Sequence, residues 1–323
     1  MIFTKKRTYK QHDNEKDSFY KFSAKKLPDQ SKITESFSTD ICIIGAGLTG
    51  ISSALHLSNN GLKITILEAN KVGAGASGRN GGQLGIGMRK DQFFLEKKFG
   101  FERAKFFWNI GLEAVQTVTN LIKKHEIDCA LTQGIMHVGN TKKDYKYFVE
   151  EINHMEKKYD YSNYEYFDSK NIKDEVASDR YHSGILSKDS YHLNPLKLTY
   201  GLAEVCLENN IKIFENSPVD KIIDKHSEVH IHTNNHIIKS KKIIVACNGY
   251  LDDLLGSTRN FFMPINNYII ATEPIGETLA RKLIKRNCGV IDSRFMIDYY
   301  RFSEDHRLLF GGPETITSKF VKD

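Results

Sequence analysis

The chain has 323 residues, enough to bury a large core and to form two domains rather than one. Hydrophobic residues make up 40% and charged residues 27%, a globular composition that excludes a disordered or fibrous chain. The net charge of +6 is carried by scattered or paired lysines, such as Lys5-Lys6, Lys123-Lys124 and Lys241-Lys242. That pattern reads as solvated surface and not as a nucleic-acid footprint.

Residues 1–37 are rich in Lys, Ser and Asp, lack periodicity and read as an extended N-terminal arm. The arm has no signal-peptide core, and no apolar run approaches the ~20 residues of a membrane span. A cytoplasmic protein is the default expectation. From Asp40 to Ile44 the chain runs apolar into Gly45, as a parallel strand covered on both faces would. Residues 48–60 carry Leu48, Ile51, Leu55 and Leu57 near helical spacing, and Gly61 ends that helix. Residues 62–67 alternate as a strand and lead to Glu68, completing one βαβ unit. A glycine-rich stretch, 73–83, follows. Phe101–Lys124 reads as a long helix with a buried stripe of Ile110, Ala114, Val118 and Leu121, with Val115 and Ile122 beside it. Trp108, the single tryptophan, is expected in the core. Residues 141–179 are polar and tyrosine-rich, a surface helix over 141–159 and then a loop. Asn194-Pro195 opens a helix that runs to Glu208. Strands follow at 211–214, 219–224, 228–233, 236–240 and 242–246, with Asn234-Asn235 as a hairpin turn. Further strands are expected at 268–272, 295–301 and 307–310.

The glycines after the first strand have separate tasks. Gly45 permits a tight turn, Gly47 lets backbone approach a pyrophosphate, and Gly50 lets the helix pack on the sheet. Leu48 and Thr49 share the first helical turn, whose N–H groups and partial positive charge would face phosphates. Glu68, with Ala69 after it, lies where a carboxylate accepts a ribose 2′-OH; that acid disfavours NADP. The cluster that includes Ser77, Arg79, Asn80, Gly81, Gly82 and Gln83 turns the reading from NAD to FAD. Its glycines let N–H groups approach a flat polar ring, and Arg79, Asn80 and Gln83 add donors for phosphate or flavin oxygens. The alternatives are a ligand-free glycine turn, a flexible surface loop, or an NAD-dependent dehydrogenase. The cysteines Cys42, Cys129, Cys206, Cys247 and Cys288 show no C-x-x-C spacing and read as free thiols of a reducing compartment. His230, His232 and His236 lack a carboxylate or cysteine to complete a ligand set, so no metal site is expected.

With these residues the chain resembles the D-amino acid oxidase superfamily of FAD-dependent amine oxidoreductases, and within it the gamma-glutamylputrescine oxidase group. The segment Ala76-Ser-Gly-Arg-Asn-Gly-Gly-Gln83 carries the resemblance most specifically. His192-Leu-Asn-Pro195-Leu-Lys-Leu, Ile244-Val-Ala-Cys-Asn248-Gly249, residues 264–274, and Tyr299-Tyr300-Arg301 through Gly311-Gly312 also match. The fold expected is α/β (α+β overall): a Rossmann-like FAD-binding domain over 38–90 and 180–262, and a mainly antiparallel-sheet substrate domain over 91–179 and 263–323. The resemblance implies Val219, Asn248 and Gly249 as further FAD contacts beside the residues above, and Tyr299, Tyr300 and Arg301 on the substrate side. It implies oxidation of the C–N bond of a small amine or amino acid by hydride transfer to flavin, with oxygen or another acceptor taking the electrons. No general base is named, because none is required if the amine binds uncharged. Relatives continue past the Phe-Gly-Gly segment with a helix, more sheet and a glycine-rich piece over the flavin, where some hold FAD through a cysteine. FAD is therefore expected to be non-covalent here, and the alternative is a chain inactive alone or needing a separate C-terminal chain.

Overall fold

The computed structural model describes residues 18–251, 254–261 and 265–315. In chain order the elements are α1 (Phe19–Ser23), β1 (Phe37–Ile44), α2 (Leu48–Ser58), β2 (Ile64–Leu67), β3 (Gln83–Leu84), α3 (Gln92–Phe99), α4 (Phe101–Lys124), β4 (Thr132–Gly139), α5 (Lys142–Tyr159), β5 (Tyr164–Phe167), α6 (Ile172–Glu175), β6 (Ser183–His192), α7 (Pro195–Glu208), β7 (Lys212–Phe214), β8 (Val219–Asp224), β9 (Val229–Thr233), β10 (His236–Val245), β11 (Asn266–Ala271), α8 (Glu277–Leu283), β12 (Gly289–Asp292), β13 (Tyr299–Phe302) and β14 (Leu308–Thr315). Two compact units result, Met1–Arg79 with Pro195–Ile265, and Asn80–Asn194 with Asn266–Asp323. The divisions fall at 79/80 and 194/195, not at 90/91 and 179/180, because Gln83 of β3 pairs with His192 of β6 and β6 pairs with β4.

The first unit is built on a six-stranded sheet of order β7-β2-β1-β10-β9-β8. β1 lies parallel to both β2 and β10, which explains why its second half is apolar without alternation. Its core joins Cys42, Ile44, Leu67, Val219, Ile231 and Ile238 to Ile33. The arm expected over residues 1–37 is therefore corrected for its described part. Residues 1–17 lie outside the described residues, but Tyr20, Leu27 and Ile33 are buried and residues 19–23 form α1. The strands expected at 236–240 and 242–246 are one strand, β10. Its first half pairs with β9, and it follows β1 from Ile238 to Val245. Lys241, between the two expected strands, reaches out to Asp40 at 2.7 Å. Asn234 and Asn235, at φ +48° and +65°, make the left-handed turn that joins β9 to β10.

The second unit is built on an eight-stranded sheet, order β11-β14-β13-β12-β4-β6-β3, with β5 on β6. Only β12 and β4 pair in parallel; the other pairs are antiparallel. Met136, Val138, Ile172, Leu186, Val290 and Phe302 are among its core residues. On α4 the buried stripe is Ala104, Trp108, Gly111, Val115 and Ile122, one face away from the expected one, and Ile110 is 38% exposed. Gly111 sets that face: a Cβ there would meet the Gly87 backbone at 2.6 Å. Trp108 packs edge-on against Tyr161 at 5.0 Å in a core with Met155 and Tyr159. The strand expected from Phe295 begins only at Tyr299, and Phe295 is 99% exposed. The region expected as a loop after α5 contains β5, and Pro264 of the expected crossing segment lies outside the described residues. Among the described residues no helix is long and apolar enough to cross a membrane.

Candidate functional site

In the first unit the turn between β1 and α2 is tied to the end of β2. Glu68 Oε2 accepts the Ala46 N–H at 2.8 Å, and Oε1 accepts the Asn70 N–H at 2.9 Å. Burial raises the pKa of the Glu68 carboxyl, and the two N–H donors oppose that rise. Gly45 sits at φ +108°, and a Cβ there would meet the Ala246 carbonyl oxygen at 2.6 Å. The Ala246 N–H in turn donates to Ile44 O at 2.8 Å, which sets the start of the Cys247-Asn248-Gly249 segment beside the turn. Gly50 is tighter still: its Cβ would lie 2.0 Å from the Gly45 carbonyl oxygen. The third glycine of the motif thus seats helix α2 on its own entry turn as well as on the sheet, where Ile43 Cγ2 would be 3.3 Å away.

Gly47 has a neighbour that the motif alone does not reveal. The Ser77 hydroxyl stands 2.7 Å from where a Gly47 Cβ would be, and it accepts the Leu48 N–H at 2.9 Å. Ser77 thereby caps α2 from a distant segment. The Ile51 N–H closes onto Gly47 O at 3.0 Å, and the N–H groups of Thr49 and Gly50 have no helix carbonyl to meet. Gly45, Gly47, Leu48, Thr49, Gly50, Glu68, Ala69 and Ser77 therefore belong to one turn and its flanks. Arg79 is exposed at the end of that stretch. Val219 begins β8 and packs in the core beside Leu67, and Asn248 is exposed at φ +49°.

In the second unit the 80–83 segment is held by β13 and by the residue before Asn194. The Gly82 N–H donates to Asn80 Oδ1 at 2.8 Å, and Leu193 N–H donates to Gly82 O at 2.7 Å. Gly82 is at φ +69°, with the Leu193 carbonyl oxygen 2.0 Å from its Cβ position. Arg301, 3% exposed, donates from Nε to Gly81 O at 2.8 Å. The Tyr299 ring lies over Gly81 and Gly311, whose Cβ positions would fall 2.6 and 2.3 Å from it, and its hydroxyl donates to Asn267 Oδ1. Gln83 Nε2 donates to Val290 O at 3.2 Å. Along β13, alternation places Tyr300 on the opposite face from Tyr299 and Arg301. Tyr300 packs against the core, stacked on Phe310, and its hydroxyl meets that of Tyr181 at 2.8 Å. Burial pushes its pKa up.

Two residues escaped the sequence reading. His192, opposite Gln83 in the sheet, is buried, and burial lowers its pKa to about 4, so it is neutral. Its Nε2 lies 2.6 Å from Asn287 O, which fixes the ring. Glu215, at the end of β7, is a buried carboxylate with an ammonium and two N–H groups around it. The position of His192 in a motif was visible, but its burial was not. Nothing in the local pattern marked Glu215, whose donors come from 143 to 185 residues away. Of the histidines on β9 and β10, His230 meets Glu228 at 2.6 Å. No group of three potential metal ligands occurs among the described residues.

Residues 40–322 match the family described as DAO, FAD dependent oxidoreductase. The gamma-glutamylputrescine oxidoreductase of Escherichia coli (strain K12) is 36% identical over 296 residues, covering 91% of this chain and 69% of that protein. The Haemophilus influenzae protein described as "Probable oxidoreductase OrdL" is 34% identical over 293 residues, covering 90% and 68% respectively. Among solved structures, the L-amino acid deaminase from Proteus myxofaciens in complex with anthranilate aligns with a TM-score of 0.67 at 17% identity. That alignment covers 89% of this chain and 61% of the deaminase, and it shows the fold alone. The chain spans about two-thirds of the length of these proteins. Neither the family match nor the relatives support the expected alternative of an inactive chain or one that needs a separate C-terminal chain. The chain belongs to the DAO family of FAD-dependent oxidoreductases.

Proposed function

We propose that this protein binds FAD and oxidises the C–N bond of a small amine, with gamma-glutamylputrescine or a similar compound as substrate. The observation that carries the reading is the α2 entry turn, with glycine at position 47, the Ser77 hydroxyl on the Leu48 N–H and the Glu68 carboxylate on the Ala46 N–H. The residues fit an ADP moiety. Thr49 and Gly50 offer first-turn N–H donors to a pyrophosphate. Glu68 accepts two N–H groups, and a carboxylate has about four acceptor sites, so a ribose hydroxyl can still donate to it. Ala69, Ser77, Arg79, Val219, Asn248 and Gly249 are proposed as further contacts, as are Asn80, Gly81, Gly82 and Gln83. When bound, FAD supplies the two-electron acceptor for the amine and passes the electrons to oxygen or another acceptor.

The protein's own part is positional and electrostatic. The Arg301 guanidinium is fixed on Gly81 O, so it puts a positive charge beside the 80–83 segment. A cation there disfavours a protonated amine nearby and favours the neutral form, whose lone pair assists loss of a hydride. Tyr299 shares that face and is proposed on the substrate side with Arg301. Tyr300, which faces the core, is proposed to orient the strand. The amine is supported by the name of the 36%-identical relative. A cytoplasmic setting is in keeping with the free cysteines, four of them buried.

Uptake of FAD by the purified protein tests the reading. Wild type is expected to carry, or to take up, FAD with an oxidised flavin spectrum. Gly47→Glu places a carboxylate in the pyrophosphate approach and is expected to abolish that uptake. A wild-type protein that takes up no FAD, or a Gly47→Glu variant that retains it fully, would sink the assignment.

A further inference from the structure

Glu215 is 3% exposed, a carboxylate inside the first unit. A buried charge is tolerated only when it is paired and hydrogen-bonded. Its Oε1 accepts the Val72 N–H at 2.9 Å. Its Oε2 accepts Lys71 Nζ at 2.8 Å and the Gln30 N–H at 3.2 Å. Two of the three donors belong to the loop that follows Glu68, and the third belongs to the segment that leads into β1. The backbone after Glu215 is tied to the same loop: Asn216 N–H to Asn70 O at 3.0 Å, and Ser217 N–H to Glu68 O at 2.8 Å. The Ser217 hydroxyl accepts the Ile33 N–H at 3.0 Å, and Lys71 also reaches Asp29 at 2.9 Å. Residues 29–33 are thus joined to the Glu68 loop through one carboxylate and one ammonium. The arrangement has a cost. After burial, the Glu215 charge is a further cause of the raised pKa of Glu68. A staple that only held the loop down could be apolar; this one tolerates a second negative charge near Glu68 in exchange for three directed bonds.

Resting on the FAD reading above, we propose that Glu215 is a positioning residue for the ADP half of the cofactor. It fixes the 68–72 loop so that the Glu68 carboxylate faces the ribose 2′-OH, with residues 29–33 as its outer support. It acts through Lys71, Val72 and Asn70, and needs no contact with the cofactor.

The discriminating readout is preference for the 2′-hydroxyl. ADP and 2′-deoxy-ADP are titrated calorimetrically into the apoprotein of wild type and Glu215→Gln. Wild type is expected to prefer ADP by about tenfold, the worth of a hydrogen bond to a charged group. Glu215→Gln is expected to bind ADP about tenfold more weakly and to lose most of that preference. General loosening would weaken both nucleotides equally and leave the ratio intact, and that result would overturn the proposal. So would a variant that binds both as wild type does, with the FAD reading left standing. Absence of ADP and FAD binding in wild type would instead remove the FAD reading and the proposal with it. If Glu215→Gln does not fold, Lys71→Gln decides the matter, since Lys71 is about a third exposed. A narrowed ADP preference is expected, and an unchanged one refutes the role.

Discussion

Gly50→Ala separates the structure from simple helix propensity, because the two predict opposite signs. Gly50 lies inside α2, and alanine is favoured over glycine in a helix by ~1 kcal/mol. The structure opposes this. An added Cβ would sit 2.0 Å from the Gly45 carbonyl oxygen, and ordinary contact begins at 3.4 Å. The gap must open by 1.4 Å, and the obstacle is backbone rather than the end of a flexible side chain. Overpacking of this kind costs roughly 1–3 kcal/mol, and a clash with backbone belongs at the upper end. After the propensity gain, a net loss of about 2 kcal/mol remains, equal to a Tm lower by roughly 4–8 °C. The same displacement moves the Ala46 N–H away from Glu68, so FAD affinity is expected to fall by about tenfold or more. The assay is thermal unfolding of apoprotein alongside FAD titration. Gly61→Ala is the control. Gly61, unlike the helical Gly50, is left-handed at φ +67°, but no atom lies within 4 Å of its Cβ position, so only backbone strain of about 1 kcal/mol applies. A Gly50→Ala protein with equal or higher Tm and unchanged FAD affinity would refute the reasoning.

Three further outcomes follow from particular contacts. Gly311→Ala drives a Cβ into the Tyr299 ring, so it should destabilise strongly alone and much less in a Tyr299→Ala background; additive losses in that double-mutant cycle would contradict the packing. Burial, with Asp91 nearby, raises the Glu151 carboxyl from 4.5 to about 7 in the folded chain. The folded state therefore holds the proton more tightly, the contribution is complete below pH 4.5, and it is lost as pH rises to about 7. Glu151→Gln should accordingly gain on wild type by an order of 1–3 kcal/mol between those pH values in chemical denaturation, and a pH-independent difference would refute the assignment. Trp108→Ala should cost about 3–5 kcal/mol, measured by urea unfolding, because the ring is buried against Tyr159 and Tyr161; a surface-like loss below ~0.5 kcal/mol would contradict its place in the core.

The dinucleotide unit was legible because its signals are local. The apolar β1, the three glycines and Glu68 all lie between Phe37 and Glu68, and each has a backbone reason to be what it is. The capping role of Ser77 was less visible, since it depends on a segment 29 residues away folding back onto Leu48. In the second unit, β4 and β6 escaped because their sequences do not alternate cleanly. Gly134 at φ +103° interrupts β4, and β6 buries Ser183, Ser187, Ser190 and His192, polar residues that read as loop. The α4 stripe was misplaced because Gly111, with no side chain to count as apolar, marks the closest approach. Tyr299 and Arg301 were found through the family likeness. Their grip on Gly81 came only from the fold, because β13 is more than 200 residues from its partner.

The proposed function makes this a flavin protein that takes electrons from an amine. The most direct measurement is the absorbance spectrum of the FAD-loaded protein before and after anaerobic addition of gamma-glutamylputrescine. Oxidised flavin bands are expected to bleach with the amine and to return on admission of air or another acceptor. A protein with bound flavin whose bands stay unchanged with that compound and with a panel of small amines and amino acids would contradict it.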